Sequence, residues 1–167
     1  RDQHGLNYGL TEYGLAIWSG VKRDEALRLL KAYFAVYPMI PEYHKHIANI
    51  VRTTGRIVSP LGRERQFFGR PWDKATVREA LANTPQGLTA DVMNIATLRI
   101  WHEMVPAPLV LHHNGYDALL MQTREEPEAL PAIRKRIMEL MRVAVPVVGL
   151  DGKRRVMVIP AEMEEGY

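Results

Sequence analysis

The chain has 167 residues, 47% of them apolar and 25% charged, with a formal net charge of +3 and no cysteine. That length suits one domain or two small lobes with a core of useful size. The missing cysteines exclude a disulfide framework and a thiolate metal site, and no apolar stretch approaches the roughly 20 residues of a membrane span. No signal peptide is visible, so a reducing, cytoplasmic setting is the expectation.

In chain order, residues 8–18 read as a helix or loop punctuated by Gly5, Gly9, Gly14 and Gly20. Residues 23–37 form a predicted helix: Ala26, Leu27, Leu30, Phe34 and Tyr37 recur at helical spacing, and Asp24 and Glu25 stand in the first turn. Pro38 ends it. A second helix is predicted from Pro41 to Thr54, stopped by Gly55. Ser59-Pro60-Leu61-Gly62 has the residue order of a type I turn between two short strands, 57–58 and 66–68. Asp73 is placed to cap a helix reaching Ala82. After Pro85 another helix runs from Thr89 to Met104. Asn114-Gly115 predicts a hairpin turn between the apolar runs 109–111 and 118–121. Residues 127–142 form a helix, with Pro131 placed to shift its start. Asp151-Gly152 joins a last hairpin of 145–148 and 156–159. Helices interrupted by hairpins define an α+β class. Repeats and low-complexity segments are absent from the sequence.

Charge is uneven along the chain. Between Arg52 and Arg78 seven basic residues face only Glu64 and Asp73, whereas residues 82–167 hold nine basic and eleven acidic residues. A basic stretch beside a near-neutral body suits a polyanion partner; an Arg-rich solvated loop is the plain alternative. Phosphate-loop and zinc-protease signatures are both missing. His44 and His46 fall on different helix faces, and His112 and His113 on opposite faces of a strand. Asp117, close to a tight turn between two apolar strands, is either a turn residue or a rigidly presented carboxylate of the kind two-metal phosphoryl chemistry needs.

Several segments together resemble the family-A DNA polymerases, the bacterial polymerase I-like class including its phage members. Residues 4–16, His-Gly-Leu-Asn-Tyr-Gly-Leu-Thr-Glu-Tyr-Gly-Leu-Ala, are similar to that family's second polymerase motif, K-x-x-x-[FY]-G-x-x-Y-G. Residues 78–91 resemble, without a gap, the palm helix whose arginine and Gln-Gly pair follow DNA. Residues 109–121 resemble the third motif, a strand, His-Asp-Glu and a second strand. Residues 31–38 and Leu61-Gly62-Arg63 match further landmarks in order, and Ile159 to Glu162 with Gly166 resembles a phage-type closing strand.

The resemblance implies a division into a fingers portion, 1–72, and the C-terminal part of a palm, 73–167. It implies that His4 lies over the sugar of an incoming dNTP and that Tyr8 stacks near the template base with a catalytic and nucleotide-binding role. A flat ring suits any base; a packed helix-end aromatic is the alternative for Tyr8. His4 departs from the family's Phe or Tyr. Arg78 and Gln86 are implied to read minor-groove acceptors, which are nearly alike for all base pairs, with a surface salt bridge as the alternative for Arg78. Ala82 replaces the family's asparagine between them. Tyr116-Asp117-Ala118 stands for His-Asp-Glu, so Asp117 is the implied Mg²⁺ ligand and catalytic carboxylate. Tyr116 is then the primer-end contact, and Ala118 a lost second carboxylate. A rival register on His113-Asn114-Gly115 carries no carboxylate. Asn114 and Arg63 complete the implied DNA-contacting set. The family's lysine would fall just before Arg1, and its first aspartate motif further upstream. The expectation is therefore a C-terminal fragment or subunit of a template-directed DNA polymerase. Its expected partners are primed template DNA, dNTP and a second polypeptide carrying the N-terminal polymerase part. A non-catalytic DNA-binding or assembly module of the same fold is the alternative.

Overall fold

The computed structural model describes residues 2–124 and 127–164, the side chains of 2–4 excepted. Helices and antiparallel hairpins alternate in it, an α+β chain as the sequence pattern predicts. It divides into two compact units, one of residues 1–59 and 63–85, the other of residues 60–62 and 86–167. The boundary expected at 72/73 thus falls inside the first unit.

Four helices open the first unit: α1 (Asp2–Asn7), α2 (Glu12–Ser19), α3 (Arg23–Val36) and α4 (Met39–Thr54). Their ends follow local chemistry. Thr11 Oγ1 accepts from Gly14 N at 3.4 Å to cap α2, and Gly55, at φ +67°, closes α4 in the left-handed conformation. Leu6, Leu15 and Ala26 form one small core, with Leu30 and Tyr33 packed on it. A hairpin follows, β1 (Arg56–Val58) and β2 (Glu64–Gln66), paired Arg56 to Gln66 and Val58 to Glu64. Its turn is the predicted one: Ser59 N donates to Arg63 O at 2.8 Å, and Gly62 takes φ +87°. Ile57 and Phe67 point inward beside Ile47, Val51, Ala80 and Leu81 in a second core. Burying each such aliphatic side chain stabilises the fold by about 1.5–3 kcal/mol.

The two helices predicted on either side of Pro85 are one, α5 (Lys74–Met104). Proline removes an N–H from the helical ladder and crowds the preceding turn, which alone favours a break. Burial overrides it: Ala80 and Leu81 are locked into a core before Pro85, and Leu88, Val92 and Ala96 into another after it. The unit boundary lies at that proline.

In the second unit β3 (Leu109–Gly115) pairs with β4 (Ala118–Thr123), followed by α6 (Leu130–Met141) and the hairpin of β5 (Ala144–Val148) with β6 (Arg154–Val158). Helix α6 begins at Leu130, with Pro131 in its first turn, rather than at residue 127. Ile100, Met104, Leu109, Ile137 and Leu140 form one core, and Leu88, Val92, Ala96, Val143 and Val145 another. The last strand ends at Val158, so residues 159–164 are not a strand, and Gly166 lies outside the described residues.

One turn differs from expectation. Asn114 and Gly115 are strand residues, paired with Leu119 and Ala118, and the chain reverses at Tyr116-Asp117. A bulge at His112, between the pairs Leu111–Met121 and His113–Leu120, adds one residue to β3. That register keeps Leu109, Leu119 and Met121 together on the core side.

Candidate functional site

In the first unit the site builds on the end of α1. Leu10 N donates to Gly5 O at 2.8 Å and Gly9 N to Leu6 O at 3.3 Å, the two bonds of a Schellman closure. Gly9 supplies its left-handed residue at φ +82°, and Tyr8 is the half-buried residue before it. A Cβ on Gly9 would meet Leu81 Cδ1 at 3.1 Å and Arg78 Cγ at 3.5 Å. The Tyr8-Gly9 pair is therefore a backbone requirement as well as a motif: the glycine permits both the turn and close packing on α5 beside Arg78.

The neighbouring Asn7 ties this end to two other helices. Its Oδ1 accepts from the Tyr33 hydroxyl on α3, and its carbonyl from His44 Nε2 on α4, both at 2.8 Å. Since a carbonyl only accepts, His44 carries its proton on Nε2 here. Burial pushes the Tyr43 hydroxyl's pKa up, with Thr84 and Tyr8 as its polar neighbours. Thr84 Oγ1 is buried without a hydrogen bond of full geometry among the described residues, and the Tyr43 phenol is the group that faces it. Sequence spacing gives no sign of the contacts among Asn7, Tyr33, Tyr43, His44 and Thr84, which only the packing of the helices creates.

His4 lies one turn before Tyr8 on α1, and its side chain falls outside the described residues. Arg78 is exposed and makes no ion pair or hydrogen bond with another described residue. The rest of the basic stretch is partly neutralised. Arg56 pairs with Glu64 at 3.0 Å, and Arg65 is held by Glu79 and by Asn83 Oδ1, the latter at 2.8 Å. Arg63 is exposed in the β1–β2 hairpin, its N–H donating to Ser59 Oγ at 3.1 Å.

In the second unit Asp117 and Tyr116 form the two-residue tip of β3–β4, both exposed. Asp117 makes no hydrogen bond or ion pair with another described residue, so its carboxylate oxygens keep their acceptor capacity. Asn114 is occupied: its amide donates to Thr97 Oγ1 at 3.2 Å, and Thr97 donates on to Met93 O at 2.7 Å, fixing the hairpin to α5. Gln86 is exposed at the start of this unit's part of α5. An open groove of about 620 Å³ is lined by Ile95, Leu98, Arg99, His102, Glu103 and Leu140. Two of its polar groups are committed elsewhere. Glu103 is paired with Arg136, which holds its carboxyl below the usual range, and Arg99 donates to the Arg142 carbonyl at 3.3 Å.

Among the described residues no three His, Asp or Glu side chains converge as a metal-binding group. A hard divalent cation such as Mg²⁺ takes about six oxygens, usually one or two carboxylates with water and substrate phosphate. Asp117 fits as one such carboxylate and cannot form a site alone.

A chain of helices with exposed-tip antiparallel hairpins, one presenting a lone carboxylate, is the class of structure into which the comparisons fall. Residues 3–151 match the model of DNA polymerase family A, and the chain belongs to that family. It is 29% identical over 155 residues to DNA polymerase I of Caldicellulosiruptor bescii, covering 86% of this chain and 18% of that protein. With DNA polymerase I of Geobacillus stearothermophilus it shares 30% over 145 residues, 81% of this chain and 16% of the relative. With that of Mycobacterium tuberculosis it shares 28% over 171 residues, 98% and 18%. The chain thus spans less than a fifth of the length of these relatives. A solved Pol1 polymerase domain from M. smegmatis, in complex with DNA primer-template and dNTP, superposes with a TM-score of 0.75 at 25% identity, over 83% of this chain and 25% of that one. Among the described residues no helix is long and apolar enough to cross a membrane.

Proposed function

We propose that this chain supplies part of the fingers and the third-motif hairpin of a template-directed DNA polymerase, which transfers nucleotides from dNTP to a primer 3′ hydroxyl. Residues outside these 167, on the same or a second polypeptide, complete the site. The observation that carries the reading is the exposed Asp117 at a hairpin tip pinned to α5, in a chain of this family. Tyr8 offers a ring for the nascent pair. Arg78 and Gln86 offer exposed donors to the minor groove, Arg63 a cation to the backbone, and Tyr116 a hydroxyl to the primer end. His4, four residues before Tyr8, is the residue proposed for the nucleotide sugar. Asp117 would hold Mg²⁺ together with a carboxylate from outside these 167 residues, and the bound ion would supply activation of the primer hydroxyl and neutralisation of phosphate charge.

Incomplete surfaces support this reading. Among the described residues each of the three sheets has two strands, and Val110, Leu120, Val148 and Val156 are exposed on them. Two-stranded hairpins are marginal without further strands or a covering layer. A fingers portion, residues 1–72, and the C-terminal part of a palm, residues 73–167, remain the proposed functional division.

A second reading, a DNA-binding module that has lost the chemistry, is favoured by Ala118 and by the single carboxylate at the hairpin tip. One experiment separates the two. A polymerase assembled with this chain is assayed by single-turnover incorporation, with Asp117→Asn as the variant and Asn114→Asp as the control. Incorporation should fall by about 10²–10³-fold or more, the scale on which loss of one transition-state charge stabiliser acts. DNA affinity and melting temperature should stay unchanged. Normal incorporation by Asp117→Asn would make Asp117 a turn residue. Tight DNA binding with no incorporation by the parent would favour the non-catalytic module.

A further inference from the structure

From the loop after β2 we infer a second nucleic-acid contact, a stacking site for single-stranded DNA or RNA bases on Phe68 and Trp72, with Arg70 beside them. The inference rests on the DNA-polymerase reading for its class of ligand, and on different residues for its evidence.

Residues 63–74 read Arg-Glu-Arg-Gln-Phe-Phe-Gly-Arg-Pro-Trp-Asp-Lys, cations interleaved with rings. The structure sorts these rings. Phe67 is buried at 8% in the Ile47–Leu81 core, with the Arg65 guanidinium 5.4 Å from its ring centre. Phe68 and Trp72 instead stand 94% and 69% exposed. Phe68 is the more exposed of the two and has lost nearly nothing to packing, so folding of this unit does not account for it. Burial of Phe67 next door explains why: it anchors the loop, and an extended backbone then sends Phe68 outward.

The loop has a defined shape. Asp73 N donates to Arg70 O at 2.9 Å, a turn that begins at the cation between the two rings, and Pro71 limits the backbone within it. Four residues of chain hold the Cα atoms of Phe68 and Trp72 within about 14 Å of one another even if fully extended.

Charge selects the occupant. Arg70 makes no ion pair with a described residue, and Arg52 and Arg78 in the same unit are likewise without one. The acids nearby are mostly engaged, Glu64 by Arg56 and Glu79 by Arg65, which leaves Asp73 as the opposing charge in the loop. Exposed flat rings with unpaired guanidinium groups match the combination that holds single strands: bases stack on the rings, whichever base it is, and phosphates meet the cations. A duplex, with its bases already stacked, would leave the rings unused.

The test uses the full chain with Trp18→Phe and Trp101→Phe, so that Trp72 alone reports. Added dT12 should quench its fluorescence, with affinity falling as salt rises. Measured by the anisotropy of end-labelled dT12, which needs no tryptophan, Phe68→Ala and Trp72→Ala should each weaken binding about 5- to 150-fold, the range spanned by one base–aromatic stack. Trp72→Phe should restore most of it, and Phe68→Leu should not. Binding to blunt duplex should be unaffected by either alanine. Unchanged dT12 affinity in both alanine variants, with primed-template binding intact, overturns the stacking site and leaves the polymerase reading standing. So does a change confined to self-association, which would make the rings a protein contact. Failure of the parent chain to bind either dT12 or primed duplex overturns both readings.

Discussion

The two units present their functional residues in opposite ways. In the first, the surroundings of Tyr8 are assembled from distant segments: Asn7 from α1, Tyr33 from α3, Tyr43 and His44 from α4, Arg78 and Thr84 from α5. In the second, Asp117 stands on one local hairpin, residues 109–123, held to α5 by the Asn114–Thr97 bond and by Leu109, Leu119 and Met121 packed with Ile100 and Met104. The first arrangement ties the backbone on either side of Tyr8 to α3, α4 and α5. The second leaves a carboxylate free to accept from a ligand. For the roles proposed above, a metal-binding carboxylate has to keep its oxygens available, whereas a ring can serve with its neighbouring backbone held by the fold.

The sharpest way to break this comparison is to loosen one unit at a time. Ile100 and Val51 are both fully buried, one in each unit. Ile100→Ala should destabilise by about 2–5 kcal/mol and Val51→Ala by somewhat less, since fewer methyl groups are deleted. Hydrogen exchange should show the loss of protection concentrated in residues 86–164 for the first variant and in residues 2–85 for the second. Uniform loss throughout the chain in both variants would show that the units unfold as one.

A smaller effect sharpens the charge contrast. Replacing Arg63, Arg65 and Arg70 together by Gln should reduce the slope of log affinity against log salt by about 2–3 for primed duplex, each phosphate contact contributing about 0.9. Replacing Arg134, Lys135 and Arg154 of the second unit should change it by less than one contact. Equal changes would place the polyanion surface on both units.

The smallest effect concerns the last hairpin. Asp151 accepts from Arg155 Nη1 at 2.9 Å and Nη2 at 2.7 Å and from Lys153 N at 3.1 Å. The Arg155 guanidinium, with that backbone N–H, holds its carboxyl down at about 2 against an ordinary 3.8. A depressed carboxylate pKa contributes stability that is present above the unfolded value and lost as pH falls from about 4 to about 2. Asp151→Asn should therefore lower the melting temperature slightly at pH 7, and the difference from the parent should shrink through that window. A difference that persists unchanged at pH 2 would show that turn geometry, not charge, is what Asp151 contributes.

Local rules carried much of the fold. Gly20, Gly55 and Gly62 mark ends and turns because only a residue without Cβ takes a positive φ there at little cost, and a sequence shows each glycine directly. Helical spacing placed α3, α4 and α6 to within a few residues, and turn residues beside short apolar runs located the three hairpins, the first with its second strand expected at 66–68 and found at Glu64–Gln66. The motif order from Tyr8 to Asp117 was likewise legible, because a motif is a local pattern.

Tertiary packing decided the rest. It carried α5 through Pro85, since burial of Leu81 on one side and Leu88 on the other outweighs one missing backbone bond. It moved the β3–β4 reversal from Asn114-Gly115 to Tyr116-Asp117, since the core facing Leu109 and Met121 sets the register and the bulge at His112 absorbs the extra residue. It also buried Phe67 while exposing Phe68. Two adjacent identical residues carry the same propensity, and only the position of the Ile47–Leu81 core distinguishes them.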